Sequence, residues 1–244
     1  MTLLEVSGLS KRFGGLQAVG GLDLSMAQGE MLGMIGPNGA GKTTVFNLLS
    51  GFLAIDSGEV RFRGRRLHGL KPHEICRLGL ARTFQIVRPF PQFSVVENVR
   101  IAALSRHPAM GEALDAARAV VERVGLGARQ REPAAGLTLA DRKRLELARA
   151  LATEPTLLLL DEVMAGLNAT EIDNMVRLIG DINAGGVSVL LIEHNMRAVM
   201  SLSHRIVVLS FGEKIAEGPP RAVAADRRVI EAYLGEEYVH PAAP

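Results

Sequence analysis

Gly36-Pro37-Asn38-Gly39-Ala40-Gly41-Lys42-Thr43-Thr44 decides how this chain is read. The stretch fits G-x-x-x-x-G-K-[ST], the loop that cradles phosphates. Ahead of it, Met31-Leu32-Gly33-Met34-Ile35 is an apolar run that reads as a buried strand. Behind it, Thr44 to Ser50 reads as a short helix stopped at Gly51. Strand, loop and helix in that order are the context the motif requires. Glycines let the backbone turn tightly and approach phosphate oxygens with no Cβ in the way. Successive N–H groups and the helix N-terminus then hold a polyphosphate. In such a loop Lys42 reaches the β- and γ-phosphates and the Thr43 hydroxyl ligates Mg²⁺. The glycine order is not the G-x-G-x-x-G of a dinucleotide site, which disfavours that reading.

The chain has 244 residues and is 48% hydrophobic, enough for one domain or two closely joined ones. A net charge of +2 is too small to argue for a nucleic-acid partner. Arg61, Arg63, Arg65 and Arg66 cluster, but they alternate with Val60 and Phe62 and read as the solvated face of a strand. Cys76 is the only cysteine, so an internal disulfide is excluded and a reducing compartment fits. It reads as a buried structural thiol. Met1 to Ser10 contains Glu5 and lacks the apolar centre of a secretion signal. No apolar run approaches the ~20 residues that span a bilayer, so a membrane role is expected to come through a partner.

Along the chain, Leu3 to Val6 reads as a strand, Lys11 to Gly15 as a turn carrying Phe13, and Leu22, Leu24 and Met26 as a half-buried strand. Glu59 to Phe62 is a further strand after a break at Ser57-Gly58. Lys71 to Leu80 reads as a helix and Ala81 to Gln85 as a short strand. Pro89 and Pro91 exclude a helix from Ile86 to Phe93. Ser94-x-x-Glu97 is a capping box that opens the next helix. Met110 to Val124 and Asp141 to Leu151 read as helices, with a polar loop from Gly127 to Gly136. Leu157 to Leu160 is a strand buried on both faces, as in a parallel sheet. Thr170 to Ala184 reads as a helix closed by Gly185-Gly186, and Val187 to Ile192 and Ile206 to Leu209 as buried strands. Phe211 to Ala216 reads as a hairpin, Arg227 to Leu234 as a helix and His240 to Pro244 as a frayed tail.

The strand at Leu157 ends in Asp161-Glu162, which supplies the second half of a nucleotide site. A carboxylate at Asp161 holds Mg²⁺, and Glu162 orients or deprotonates an attacking water. With these residues in hand, nearly the whole chain resembles the nucleotide-binding domains of ABC transporters. Gly36 to Thr44 match the family's Walker A motif and Leu157 to Asp161 its Walker B strand. The resemblance implies that Glu162 is the catalytic glutamate, that Gln85 senses Mg²⁺ and the membrane partner, and that His194 is the switch histidine. It also implies that Phe13 stacks on adenine. The fold expected is an α/β P-loop NTPase with a mixed or parallel core sheet, an antiparallel β subdomain and a helical subdomain. The implied organisation is a single domain over 1–244, with the core at 1–85 and 153–244 and the helical subdomain at 86–152.

The signature motif departs from the family's Leu-Ser-Gly-Gly-Gln. Here it is Leu137-Thr138-Leu139-Ala140-Asp141. Thr138 keeps a hydroxyl, Ala140 replaces a glycine that faces the partner's γ-phosphate, and Asp141 replaces a neutral glutamine. A carboxylate ~4 Å from another charge, at an effective dielectric of ~20, is repelled by several kcal/mol before relaxation. Arg142, Lys143 and Arg144 stand beside it as screens. Asn168 replaces an aspartate at the end of Ala165-Gly166-Leu167-Asn168. Ala81-Arg82-Thr83-Phe84-Gln85 and Ile192-Glu193-His194-Asn195-Met196 look like the ATPases of branched-chain amino-acid importers. The ending Ile230 to Glu236 adds to that likeness.

The resemblance implies ATP and Mg²⁺ as cofactors. Its implied partners are integral-membrane permease subunits, a second ATPase subunit (a copy or a paralogue) and, indirectly, an external solute-binding protein. It places the chain peripherally on the cytoplasmic face of the cell membrane. Phe84, Phe90 and Phe93 line either a groove for a permease helix or a contact between subdomains. Two other readings stand beside the importer ATPase. One is a soluble ATP-gated clamp, and the other is a subunit that binds ATP but hydrolyses it weakly.

Overall fold

Met31 to Ile35, Leu157 to Asp161 and Ser188 to Ile192 are buried at every position. Apart from Ser188 and Asp161 at strand ends they are non-polar throughout, as strands covered on both faces are, and the chemistry-bearing loops spring from them. The computed structural model describes residues 2–85 and 88–238, with side chains described as far as Tyr233. The expected tail from His240 to Pro244, and Ile86-Val87 at the head of the proline loop, lie outside the described residues.

In chain order the elements begin with β1 (Thr2–Phe13), β2 (Leu16–Ala27), β3 (Met31–Ile35), α1 (Lys42–Leu49), β4 (Ser57–Phe62) and β5 (Arg65–Arg66). They continue with α2 (Pro72–Leu78), β6 (Leu80–Arg82), α3 (Val95–Ala103), α4 (Met110–Arg123) and α5 (Leu139–Leu151). β7 (Leu157–Asp161), α6 (Ala169–Ala184), β8 (Ser188–Ile192), α7 (Met196–Leu202) and β9 (Arg205–Ser210) follow. The last are β10 (Glu213–Gly218), α8 (Pro220–Ala224) and α9 (Arg227–Tyr238).

These elements fall into two compact units. The first lies within Met1–Pro72 and Ser188–Pro244, the second within His73–Val187. In the first, an antiparallel sheet runs β2-β1-β4-β5. Val6 pairs with Leu24 and Leu4 with Met26, which puts alternate apolar side chains on one buried face. The same unit holds β3 between two parallel neighbours, β8 and β9, with β10 antiparallel on β9. The β9–β10 turn is Phe211-Gly212, both at positive φ (46° and 83°), as a tight two-residue hairpin requires.

In the second unit β6 runs parallel to β7. α3 opens with the expected capping box, in which the Ser94 hydroxyl accepts from Glu97 N–H and the Glu97 carboxylate accepts from Ser94 N–H. Such a cap stabilises a helix by ~1 kcal/mol. Asn98, fully buried on that helix, accepts from Phe90 N–H and donates to the carbonyls of Phe90, Phe93 and Ser94. One amide thereby pins the proline-rich loop. Phe84, Phe90 and Phe93 stay 41–46% exposed.

Several expectations need correction. Lys11 to Phe13 continue β1 instead of forming a turn, because they pair with Val19, Gln17 and Leu16 of β2. Ser57-Gly58 belongs to β4. The strand expected over Ala81 to Gln85 is shorter and begins at Leu80, its pairing with β7 ending at Arg82. Cys76 is only half-buried, since Ile75 takes the buried position on α2. α7 and α8 were not anticipated.

Candidate functional site

The phosphate loop leaves the C-terminal end of β3 and enters α1. Gly36 adopts φ 149° and Gly41 φ 99°, both in the region that side chains rarely reach. A Cβ at Gly36 would lie 2.0 Å from the Leu209 carbonyl oxygen, and one at Gly41 2.4 Å from that of Ala18. Neighbouring backbone thus closes on the loop from both sides, and only glycine fits there. Gly41 is also the N-cap of α1 and supplies no side-chain cap, and the first turn carries no acidic residue. The leading N–H groups are therefore left for an external anion, at the positive end of the helix dipole. Asn38, Gly39 and Thr43 are exposed, while Pro37 and Ala40 are buried. Thr44 is half-buried on the first turn of α1. Lys42 is buried, and its Nζ donates to the carbonyls of Gly36 at 2.5 Å and Pro37 at 2.8 Å. Its ammonium is folded onto the loop it would share with a phosphate.

His194 follows β8 and is exposed. β8 is parallel to β3, with Met34 opposite Ile192, so His194 and the phosphate loop emerge at the same sheet edge. Open parallel sheets bind ligands at that carboxyl edge. Phe13 ends β1, is 47% exposed and has the Lys11 ammonium 5.7 Å from its ring centroid. Its hairpin partner Leu16 begins β2, whose Ala18 carbonyl lies against Gly41.

In the second unit the acidic residues and Gln85 again leave a parallel carboxyl edge, that of β6 and β7. Asp161 is 2% exposed, and its Oδ2 accepts from Arg82 Nη2 at 2.7 Å. A buried carboxylate needs such a partner, and losing one member of a buried pair costs about 3–5 kcal/mol. Oδ1 is buried and finds no hydrogen-bond partner among the described residues. An orphaned carboxylate oxygen suits a hydrated divalent cation. Mg²⁺ takes one or two carboxylates plus phosphate oxygens and water, and a carboxylate placed like that of Asp161 is chemically suited to it. Buried Thr83 steadies the strand end, its hydroxyl accepting from Asp161 N–H at 3.2 Å.

Glu162 adopts φ 49°, a left-handed conformation rare for glutamate. Its carbonyl accepts from Lys143 Nζ at 3.0 Å and from Ala165 N–H at 3.2 Å. Its Oε2 accepts from Gln85 Nε2 at 2.7 Å. Gln85 and Glu162, far apart in the chain, are thus one hydrogen-bonded pair. Arg82, Thr83 and Lys143 were missed as site residues. Arg82 had a legible signal: an arginine inside an otherwise apolar strand must find a carboxylate.

The signature region differs from expectation in what neutralises Asp141. Arg142, Lys143 and Arg144 turn instead to the carbonyls of Ala135, Gln85 with Glu162, and Val124. Asp141 pairs with Arg129 and accepts from the Thr138 hydroxyl at 2.8 Å. The Glu132 hydrogen bond, with the Asp141 charge beside it, holds the Arg129 guanidinium above its ordinary pKa. Thr138 is the N-cap of α5, accepting from Asp141 N–H, and Ala140 lies within the helix, where a methyl costs nothing. Asn168 has a similar local reason: it is the N-cap of α6 in a complete capping box with Glu171. Asparagine and aspartate cap about equally well.

Residues 19–165 match the family described as ABC transporter. Residues 213–239 match the family described as branched-chain amino acid ATP-binding cassette transporter. The high-affinity branched-chain amino acid transport ATP-binding protein LivG of Salmonella typhimurium is 43% identical over 250 residues, covering 96% of this chain and 98% of its own. BraF of Pseudomonas aeruginosa, described in the same words, is also 43% identical with the same coverage. Among solved structures, the ADP conformation of an ATP-binding cassette of an ABC transporter superposes with a TM-score of 0.88 at 28% identity. That match covers 96% of this chain and 99% of that one.

Proposed function

The chain belongs to the ABC transporter family of ATP-binding cassettes, and from that premise we propose that it energises an importer of branched-chain amino acids or related small amides. The observation that carries the reading is the phosphate loop: an uncapped helix N-terminus under glycines that tolerate no Cβ, with a lysine already seated in it. Gly36 to Thr44 bind the ATP phosphates and Phe13 packs on the adenine. Thr43, Asp161 and the Gln85 amide would hold Mg²⁺, which would supply charge neutralisation at the phosphates. Glu162 takes the proton of the attacking water and His194 contacts the γ-phosphate. Residues 86–152 form the helical subdomain, which carries the signature. The chain works peripherally, on the cytoplasmic face of the membrane, beneath permease subunits. Among the described residues no helix is long and apolar enough to cross a membrane. The purified chain should hydrolyse ATP only with Mg²⁺ present and float with vesicles only when they contain the permease. Partner-independent flotation on protein-free liposomes would refute the membrane arrangement.

A second ATPase subunit is proposed to close on the bound ATP through Thr138 and Ala140. Because Arg129 pairs with Asp141, repulsion between that carboxylate and phosphate is smaller than the sequence suggests. Changing Ala140→Gly with Asp141→Gln therefore has less to relieve. Arg129→Gln should instead unmask the charge and raise the KM for ATP roughly three- to tenfold, with Arg129→Gln/Asp141→Asn restoring it. Steady-state kinetics on the four proteins of that cycle check this, and additive effects would show that the pair is not coupled to ATP.

A further inference from the structure

Lys143 is 4% exposed, on the face of α5 that turns inward. An ammonium buried that deeply is costly unless every donor finds an acceptor. Its Nζ donates to the Glu162 carbonyl at 3.0 Å and to the Gln85 carbonyl at 3.3 Å. The same two residues are joined through their side chains at 2.7 Å. A turn further along α5, buried Glu146 accepts from the Phe84 N–H and from Arg149. One helix therefore grips the segment from Phe84 to Gln85 by both a cation and an anion, and reaches Glu162 with the cation.

We propose that Lys143 is a positioning residue for hydrolysis, holding Glu162 and Gln85 in their working geometry from the helix that begins at Thr138. The proposal rests on the reading of Glu162 as the base. The backbone of Glu162 sits in a left-handed conformation that is strained for a side-chain-bearing residue and persists only where the surroundings over-determine it. A carbonyl held by Lys143 is part of that determination. Without it, Glu162 relaxes toward negative φ and its carboxylate swings away from Gln85. Because Lys143 lies on the turn after Thr138, a displacement of the α5 N-terminus is carried to both residues through a single side chain.

The test uses the purified full chain. Lys143→Met keeps the length and removes the donor. Its kcat should fall about tenfold to a hundredfold, the loss expected for a displacement near 1 Å, while the KM for ATP changes less than about twofold. Lys143→Arg, which keeps donors, should recover part of the rate. Leu145→Ala, a buried apolar change on the same helix, serves as the stability control and should keep its kcat per folded molecule. A Lys143→Met protein turning over at the parental rate would overturn the proposal. So would a loss that Leu145→Ala reproduces at equal destabilisation. Glu162→Gln, run alongside, separates the two claims. If it is inactive while Lys143→Met is not, positioning fails and the base stands. If Glu162→Gln retains parental kcat, both fall.

Discussion

Glu162→Gln should lower kcat by about two to four orders of magnitude, the range that a positioned general base contributes, while ATP still binds. The substitution is close to isosteric. The amide oxygen can still accept from Gln85 Nε2, which now reaches Oε2 at 2.7 Å. The backbone at φ 49° and the carbonyl contact with Lys143 are untouched, so the fold around the site should survive. What is lost is the capacity to take a proton from water, which an amide lacks. ATP-bound molecules then accumulate, and two chains closed on ATP should persist through size-exclusion chromatography where the parent dissociates. Phosphate release and the dimer fraction, measured on one preparation, give the two readouts. A variant hydrolysing at the parental rate would remove Glu162 from the mechanism.

Why some of this was legible in the sequence and some was not follows from distance along the chain. The phosphate loop is continuous, and the positive φ at Gly36, Gly39 and Gly41 is a local demand, although the backbone that crowds Gly36 and Gly41 comes from Leu209 and Ala18. The capping box at Ser94 and the buried runs of β3, β7 and β8 are local too, and all appear in the structure. The contacts that were missed join residues far apart. Arg82 meets Asp161 only because β6 lies beside β7 in the register Arg82 to Leu159. Arg129 reaches Asp141 from a separate turn. Proximity in sequence misled for Arg142, Lys143 and Arg144, since a helix points successive side chains in different directions. Phe13 shows the same limit: the glycines after it marked a turn, but strand pairing carried β1 through Lys11 to its end.

Lys42→Ala is the second large effect, and its size depends on where the ammonium rests beforehand. Nζ already donates to the carbonyls of Gly36 and Pro37, so ATP does not meet an unsatisfied cation. It gains only the difference between phosphate and carbonyl as acceptor. That difference is still large, because hydrogen bonds between charged groups contribute about 1.5–3 kcal/mol each and the residue is 7% exposed. ATP affinity measured by calorimetry should fall roughly 10- to 100-fold, at about 1.4 kcal/mol per decade. Truncation also strips a donor from two loop carbonyls, which costs stability on the order of 1–3 kcal/mol. A melting curve without nucleotide measures that part separately. Lys42→Arg should not rescue binding. A planar guanidinium does not take the place of a compact ammonium among backbone carbonyls. A folded Lys42→Ala protein that binds ATP with unchanged affinity would mean the loop holds phosphate through its N–H groups alone. The role assigned to Lys42 would then be wrong.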